Sequence, residues 1–397
     1  LVETSLRTPV RTGLERLLDG EVPALKGASL GLIFHPASVT PRIEPADEVI
    51  ARHPDLSLCA LFGPQHGARG EKQDNMVESD AYQNRRALPV HSLYGAVRKP
   101  TPDMLRGLDV LLFDLQDVGT RVYTFVWTMV LAMEACRDAG VRFVVLDRPN
   151  PIGGRVLEGP ILRMPCASFV GMHPIPLRHG LTAGELARLV NVEFGLGCDL
   201  EVVPCEGWRR GMWFDQCGLP FVMPSPNLPT LDSCIVYPGM VLLEGTNLSE
   251  GRGTTRPFEL FGAPYLDAQQ TAARLESFEL AGVRFRACHF EPTFQKHCGA
   301  LCGGAQLHVT DREALRSVEV ALAILRVAAD LAPRAFGWRS PPYEYEFERQ
   351  PIDLLYGSAE LREGIDRGAT PAELLSSVDA ELAEFAARAR PYLLYPE

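Results

Sequence analysis

Asp109-Val110-Leu111-Leu112-Phe113-Asp114 and Val141-Arg142-Phe143-Val144-Val145-Leu146-Asp147 are two apolar runs of strand length, joined by a stretch over 123–139 that has helical patterning. Two parallel strands need a crossover of a dozen or more residues, and a helix is the usual one, so this segment reads as a βαβ unit. The same alternation continues outward on both sides. Ser29-Leu30-Gly31-Leu32-Ile33-Phe34, Leu58-Cys59-Ala60-Leu61-Phe62 and Leu200-Glu201-Val202-Val203 read as further strands. Helices are expected over 45–52 and 182–194, the second opened by Thr182 with Glu185 at capping-box spacing. The fold class is therefore α/β: a Rossmann-like, mostly parallel sheet with helices on both faces.

From about 205 to 265 the chain turns rich in proline and glycine and the alternation stops. Patterned elements return from 268: a helix over 268–277, strands over 283–287 and 305–309, and a helix over 312–332 with Asp311 as its cap. An amphipathic tail helix over 370–389 carries Pro371 in its first turn. With 397 residues the chain exceeds one minimal core. Two domains are expected, a Rossmann-like one over 1–264 that includes the Pro/Gly-rich loops and a smaller α+β one over 265–397.

The hydrophobic content of 46% and charged content of 22% are those of a globular enzyme. A net charge of −11 with no basic stripe excludes a nucleic-acid partner. The apolar runs are strand-length, so no membrane partner is expected either. Ten cysteines lack repeated C-x-x-C spacing and several sit in apolar runs, which points to buried thiols and a reducing compartment and favours the cytoplasm, with no signal peptide visible; the start at Leu1 leaves a removed leader, and with it a periplasmic or secreted location, as the alternative. His289, His297, Cys298 and Cys302 match no common zinc spacing, and no metal or cofactor is expected.

In open α/β sheets ligands bind beyond the carboxyl ends of the parallel strands. Here those ends switch abruptly from apolar to polar-plus-glycine: Gly63-Pro64-Gln65-His66-Gly67 after the second strand, Asp114-Leu115-Gln116-Asp117-Val118-Gly119-Thr120-Arg121 after the third, Asp147-Arg148-Pro149-Asn150 after the fourth. None is followed by G-x-G-x-x-G or a P-loop, so a dinucleotide or nucleoside triphosphate is not the expected ligand. Asp114 and Asp117 flank Gln116, and paired carboxyls in one site can be driven apart into an acid and a base. Either could equally cap a helix or pin a turn. His66, Tyr123 and His179 are donors at cleft positions, and the proline-stiffened run over 224–232 presents Asn227 as an immobile wall.

A second polar stretch runs Glu244-Gly245-Thr246-Asn247-Leu248-Ser249-Glu250-Gly251-Arg252-Gly253-Thr254-Thr255-Arg256-Pro257-Phe258-Glu259. Its glycines let backbone approach a ligand, while Glu244, Asn247, Glu250, Arg252 and Arg256 offer acceptors and forked donors suited to a polyhydroxylated or carboxylate-bearing molecule. No nucleophile elbow is present, and carboxyl groups with many hydroxyl-binding side chains suit glycosidic chemistry better than acyl transfer.

These motifs together resemble the NamZ-type exo-β-N-acetylmuramidases: Phe62-Gly63-Pro64-Gln65-His66-Gly67, the run from Phe113 to Thr124, Leu146-Asp147-Arg148-Pro149-Asn150-Pro151, Ser225-Pro226-Asn227-Leu228-Pro229-Thr230 and the 244–259 stretch. The resemblance implies a Rossmann-like domain, a smaller C-terminal domain and a cleft between them, and release of N-acetylmuramic acid from the non-reducing ends of peptidoglycan fragments. The substrate partner would be a small saccharide or muropeptide, its lactyl carboxylate met by Arg252 or Arg256. It also implies a catalytic glutamate where this chain has Gln65, and an amide cannot cycle a proton near neutral pH. Glu71, Asp114, Asp117, Glu244 and Glu250 are the replacement candidates, with Asp114 or Asp117 expected to face Glu250 across the cleft. The alternative is a catalytically altered homologue that only binds muropeptides or amino sugars.

Overall fold

The computed structural model describes residues 9–74 and 76–397; residues 1–8 of the expected first domain lie outside it. Its strands in chain order are β1 (Ser29–Phe34), β2 (Ser57–Gly63), β3 (Tyr82–Gln83), β4 (Pro89–Ser92), β5 (Val110–Asp114), β6 (Arg142–Leu146), β7 (Glu158–Ile161), β8 (Pro176–Arg178), β9 (Leu200–Val203), β10 (Leu260–Ala263), β11 (Val283–Phe290) and β12 (Cys302–Val309). Seven form one sheet in the order β3-β4-β2-β1-β5-β6-β9, parallel throughout except for the edge pair β3–β4. All five strands expected from the sequence are in it. The short β3 and β4 were not foreseen: Tyr82-Gln83 and Pro89-Val90-His91-Ser92 are too short to show an apolar period.

Strand alternation sorts the side chains onto two faces. Leu30, Leu32, Leu61, Leu112, Val144 and Leu146 pack with Leu14, Leu17, Val49 and Ile50 from helices Gly13–Leu18 and Ala46–Arg52. Their neighbours Ile33, Phe62, Leu111, Phe113, Phe143 and Val145 pack on the opposite face with helices Phe125–Ala139 and Ala183–Glu193. The second of these has the capping box expected at Thr182 and Glu185.

The C-terminal half builds an antiparallel sheet in the order β10-β12-β11. Its edge strand β10 precedes residue 265, so the segment expected to close the first domain contributes to this sheet. The proline-rich region contains helix Leu231–Met240, despite Pro238 within it. That proline lies late enough for the backbone to tighten directly into the 3-10 turn Val241–Gly245. The helix lies flush against helix Ser317–Leu331, because a Cβ on Gly239 would stand 1.8 Å from the Ser317 carbonyl oxygen. Helix Ser317–Leu331 starts five residues later than its pattern predicts, and Asp311 caps a turn at Glu313 and Ala314 instead. One continuous apolar cluster runs from Phe113 and Trp127 through Val236 and Leu242 to Leu322 and Leu355, so both halves share a core. Among the described residues no helix is long and apolar enough to cross a membrane.

Candidate active site

The carboxyl end of β2 turns through Gln65 and His66 into a pocket whose other wall comes from the C-terminal half. His66 holds φ +71°, a left-handed backbone that disfavours a residue with a Cβ, followed by Gly67 at +82°. Its ring is fixed from both sides: Nδ1 lies 2.6 Å from the Lys72 carbonyl oxygen and Nε2 3.3 Å from Ser225 Oγ. A carbonyl only accepts, so Nδ1 carries the proton and Nε2 accepts from the Ser225 hydroxyl. Burial pushes the His66 imidazole down to about 4, outweighing the pull of the Lys72 carbonyl, and keeps it neutral at neutral pH.

Gln65 is buried beside it. Its amide oxygen accepts from the Thr124 hydroxyl, at the start of helix Phe125–Ala139, which turns its Nε2 toward Tyr94 Oη (3.2 Å) and Glu344 Oε1 (3.0 Å). Tyr94 in turn donates to Glu344 Oε2 at 2.6 Å. Burial raises the Glu344 carboxyl, against the hydrogen bonds from Tyr94 and Gln65 and with the Glu244 charge adding to the rise. The backbone at Glu344 is also left-handed, at φ +47°.

The facing wall begins where the 3-10 turn Val241–Gly245 delivers Glu244. Glu244 Oε1 accepts from Arg252 Nη2 at 2.6 Å and Oε2 from Tyr343 Oη at 2.7 Å. Arg252 is reached by a chain that only glycine could follow, since a Cβ on Gly253 (φ +79°) would stand 2.5 Å from the Phe294 carbonyl oxygen. Behind Arg252 sits Glu250, 3.5 Å from its Nε and 2.9 Å from Lys296 Nζ. Burial alone would raise Glu250, but Lys296 and Arg252 overcome it and hold the carboxyl below its ordinary value. Phe258, another lining residue, has φ +65°. Left-handed backbone at His66, Phe258 and Glu344 thus converges on one pocket, and such strain concentrates where surrounding structure over-determines a functional geometry.

The structure brings together Gln65, His66, Tyr123, Glu244 and Arg252 of the residues singled out in the sequence, with Glu250 one layer behind; Asn227, between the lining residues Ser225 and Leu228, is buried and donates from Nδ2 to the Gln73 carbonyl oxygen at 2.6 Å. Tyr123 donates to the Pro224 carbonyl at 2.5 Å. It places the others elsewhere. Asp114, fully buried, takes both Nε (2.6 Å) and Nη2 (2.9 Å) of Arg148, so this expected acid and expected sugar ligand neutralise each other inside the sheet end. Asp147 accepts from Thr182 Oγ1 at 2.7 Å, Gly184 N at 2.8 Å and the Tyr395 hydroxyl, fixing a helix start and the chain's tail.

Asp117 accepts from Gly119 N at 2.7 Å and lies 3.4 Å from His179 Nε2, and it is not among the residues that line the pocket. Gln116 spans the carbonyls of Asp117 and Pro149, and Asn150 ties Leu181 to Ile152. Arg121 donates to four carbonyls, of Pro160, Ile175, Leu355 and Tyr356, and so stitches the β7–β8 ribbon to the C-terminal half. Asn247 holds Ala335, Gly337 and Tyr265, Arg256 pairs with Glu259 at the surface, and Glu71 is exposed. The lining residues missed in the sequence are Thr124, Tyr237, Tyr343 and Glu344, with Tyr94 behind them. The run Pro341-Pro342-Tyr343-Glu344-Tyr345-Glu346, two prolines then alternating aromatic and acid, was the available signal for two of them.

Family models described as exo-beta-N-acetylmuramidase NamZ match this chain, the N-terminal one over residues 30–232 and the C-terminal one over 235–395. The chain belongs to the NamZ family. Its similarity to the Bacillus subtilis (strain 168) protein named peptidoglycan beta-N-acetylmuramidase NamZ is 46% identity over 393 residues, 99% of this chain and 93% of that protein. Two crystal structures of DUF1343 family proteins from Bacteroides fragilis NCTC 9343 share the fold. One superposes with a TM-score of 0.88 at 34% identity and the other with 0.77 at 29%, each covering 98% of this chain and 100% of its own. The two NamZ matches meet between residues 232 and 235, where helix Leu231–Met240 starts toward Glu244, so the pocket takes residues from both.

Proposed function

We propose that the protein is an exo-acting glycoside hydrolase that releases N-acetylmuramic acid from the non-reducing end of peptidoglycan fragments, with Glu344 as the proton donor. Near-full-length similarity to the named Bacillus subtilis muramidase supports the substrate class. The observation that carries the chemistry is a pair of buried carboxyls lining one pocket: Glu344, raised by burial, and Glu244, held against Arg252 and Tyr343. A glycosidase needs one carboxyl protonated and another that stabilises positive charge at the anomeric centre. Glu344 gives its proton to the departing glycosidic oxygen as the C–O bond breaks. Glu244 faces the charge that develops, or orients the sugar's 2-acetamido group if that group attacks. A water supplies the hydroxyl to the sugar, and its remaining proton restores Glu344.

Gln65 fits this scheme as a positioning residue. A carboxyl 3.0 Å from Glu344 would share its proton, whereas an amide there donates a hydrogen bond and leaves the proton to Glu344. The amide at position 65 is therefore no argument for an inert binding homologue. Arg252, with Nη1 on the side of the pocket that opens toward solvent, is the partner we assign to the lactyl carboxylate. Incubation with a muramyl disaccharide and a chromogenic N-acetylmuraminide tests the reading: disaccharide turnover that disappears in Glu344→Gln and in Glu244→Gln supports it, and wild-type protein that leaves both substrates intact overturns it.

A further inference from the structure

Arg252 is pressed from two sides by carboxylates of different character. Glu244 and Glu250, each 3% exposed, hold its buried side at 2.6 and 3.5 Å. Asp74, 38% exposed, stands 3.4 Å from Nη1 on the solvent side, and its Oδ1 also accepts from the Gln295 amide. Among the described residues the ion-paired cluster contains two cations, Arg252 and Lys296, and three carboxylates, Glu244, Glu250 and Asp74. Without Asp74 the charges balance, two against two. With Asp74 in place, an incoming anion meets a cluster already one negative charge in excess.

The two inner carboxylates cannot yield without leaving a buried guanidinium and ammonium unpaired. Asp74 can, because water is at hand to solvate it and its 3.4 Å contact with Arg252 is long and open to solvent on the Asp74 side. We propose that Asp74 is an internal stand-in for the substrate's carboxylate: it occupies the outer face of Arg252 in the empty enzyme and is displaced when an anionic sugar binds. Resting on the muramidase reading above, this makes position 74 a determinant of selectivity between sugars that carry a carboxylate and those that do not. A neutral glycoside leaves the Asp74–Arg252 contact in place and gains nothing from its removal. An anionic one must break it.

The experiment compares KM for a chromogenic N-acetylmuraminide and the matching N-acetylglucosaminide in wild type, Asp74→Asn and Gln295→Ala. Asp74→Asn keeps the side chain's size and can still accept from Gln295, so folding is conserved. KM for the muraminide is expected to fall about two- to fivefold, the range of an ion pair solvated on one side, while KM for the glucosaminide moves less. Gln295→Ala, which removes the amide donating to Asp74 Oδ1, shifts the muraminide KM the same way by less. Equal shifts on both sugars, or a higher muraminide KM in Asp74→Asn, overturn the proposal and leave the hydrolase reading standing. Wild-type protein that cleaves no muraminide sinks the hydrolase reading and this one with it.

Discussion

Glu344→Gln removes the transferable proton. The substituted amide fills the same volume, and one of its two positions still accepts where Gln65 Nε2 (3.0 Å) or Tyr94 Oη (2.6 Å) now donates. The other becomes a donor facing the Tyr94 hydroxyl, which already accepts from Gln65 Nε2 and Met76 N, so stability falls by about 1–3 kcal/mol, the cost of one unmet buried donor. The catalytic loss is read separately, on the folded protein: a missing general acid costs roughly 10²- to 10⁴-fold in kcat, or ~2.7 to 5.4 kcal/mol of barrier. That loss is selective, because the acid matters in proportion to the basicity of the departing oxygen. With a muramyl disaccharide the full loss is expected. With a nitrophenyl muraminide, whose phenolate departs with little protonation, the loss is smaller by at least about tenfold. Burial holds the Glu344 carboxyl protonated above the ordinary glutamate range, so wild-type kcat falls as pH rises through the raised value, and the variant lacks that limb. Steady-state kinetics on both substrates across pH checks this. Equal losses on the two leaving groups, or an alkaline limb that survives in Glu344→Gln, would refute the assignment.

Other outcomes follow from the same geometry. Asp114→Asn uncouples a buried bidentate pair with Arg148 and should destabilise by roughly 3–5 kcal/mol in urea titration, with kcat of the folded fraction retained; lost turnover at full stability would return Asp114 to the chemistry. Gly239→Ala drives a methyl to 1.8 Å from the Ser317 carbonyl and should lower stability by more than about 2 kcal/mol, read as a fall in Tm; an unchanged Tm would refute that helix contact. Asp147 is raised from 3.8 to about 6, by burial first and against its hydrogen bonds. Its contribution to stability is fully present below about 3.8 and lost as pH rises through about 6, so Asp147→Asn should flatten the Tm profile over that window. Gln65→Glu should move the pH–rate profile, since two carboxyls would then share one proton, while leaving binding of N-acetylmuramic acid measurable by calorimetry; an unshifted profile contradicts the Gln65–Glu344 contact.

The sheet was legible because its strands obey a strict period: Leu112 and Val144 face one layer, Phe113 and Val145 the other, and helical stretches intervene. The strand ends were half legible. Gln65 and Tyr123 reach the pocket, but Asp114, Asp147 and Arg148 show the same switch from apolar to polar while serving sheet ends and helix starts. Composition at a strand end does not distinguish a polar group facing a ligand from one neutralising its neighbour. The stretch from Glu244 to Glu259 read as a binding wall, and Glu244 and Arg252 are in the pocket. Its Glu250 is committed to Lys296, a partner 46 residues away that no local pattern reveals. Glu344 was marked only by the Pro-Pro then alternating aromatic and acid run around it, and its partner was not: it meets Gln65 across 279 residues from a left-handed turn with no element period.

A crystal structure of Glu344→Gln with a muramyl disaccharide would put the reacting bond among these groups. The glycosidic oxygen is predicted within hydrogen-bond reach of the side chain at 344, the anomeric carbon on the Glu244 side, and the lactyl carboxylate on Arg252 Nη1 with Asp74 turned away. A sugar bound instead over Asp114 or Asp117, with the side chain at 344 out of reach of the glycosidic oxygen, would contradict it.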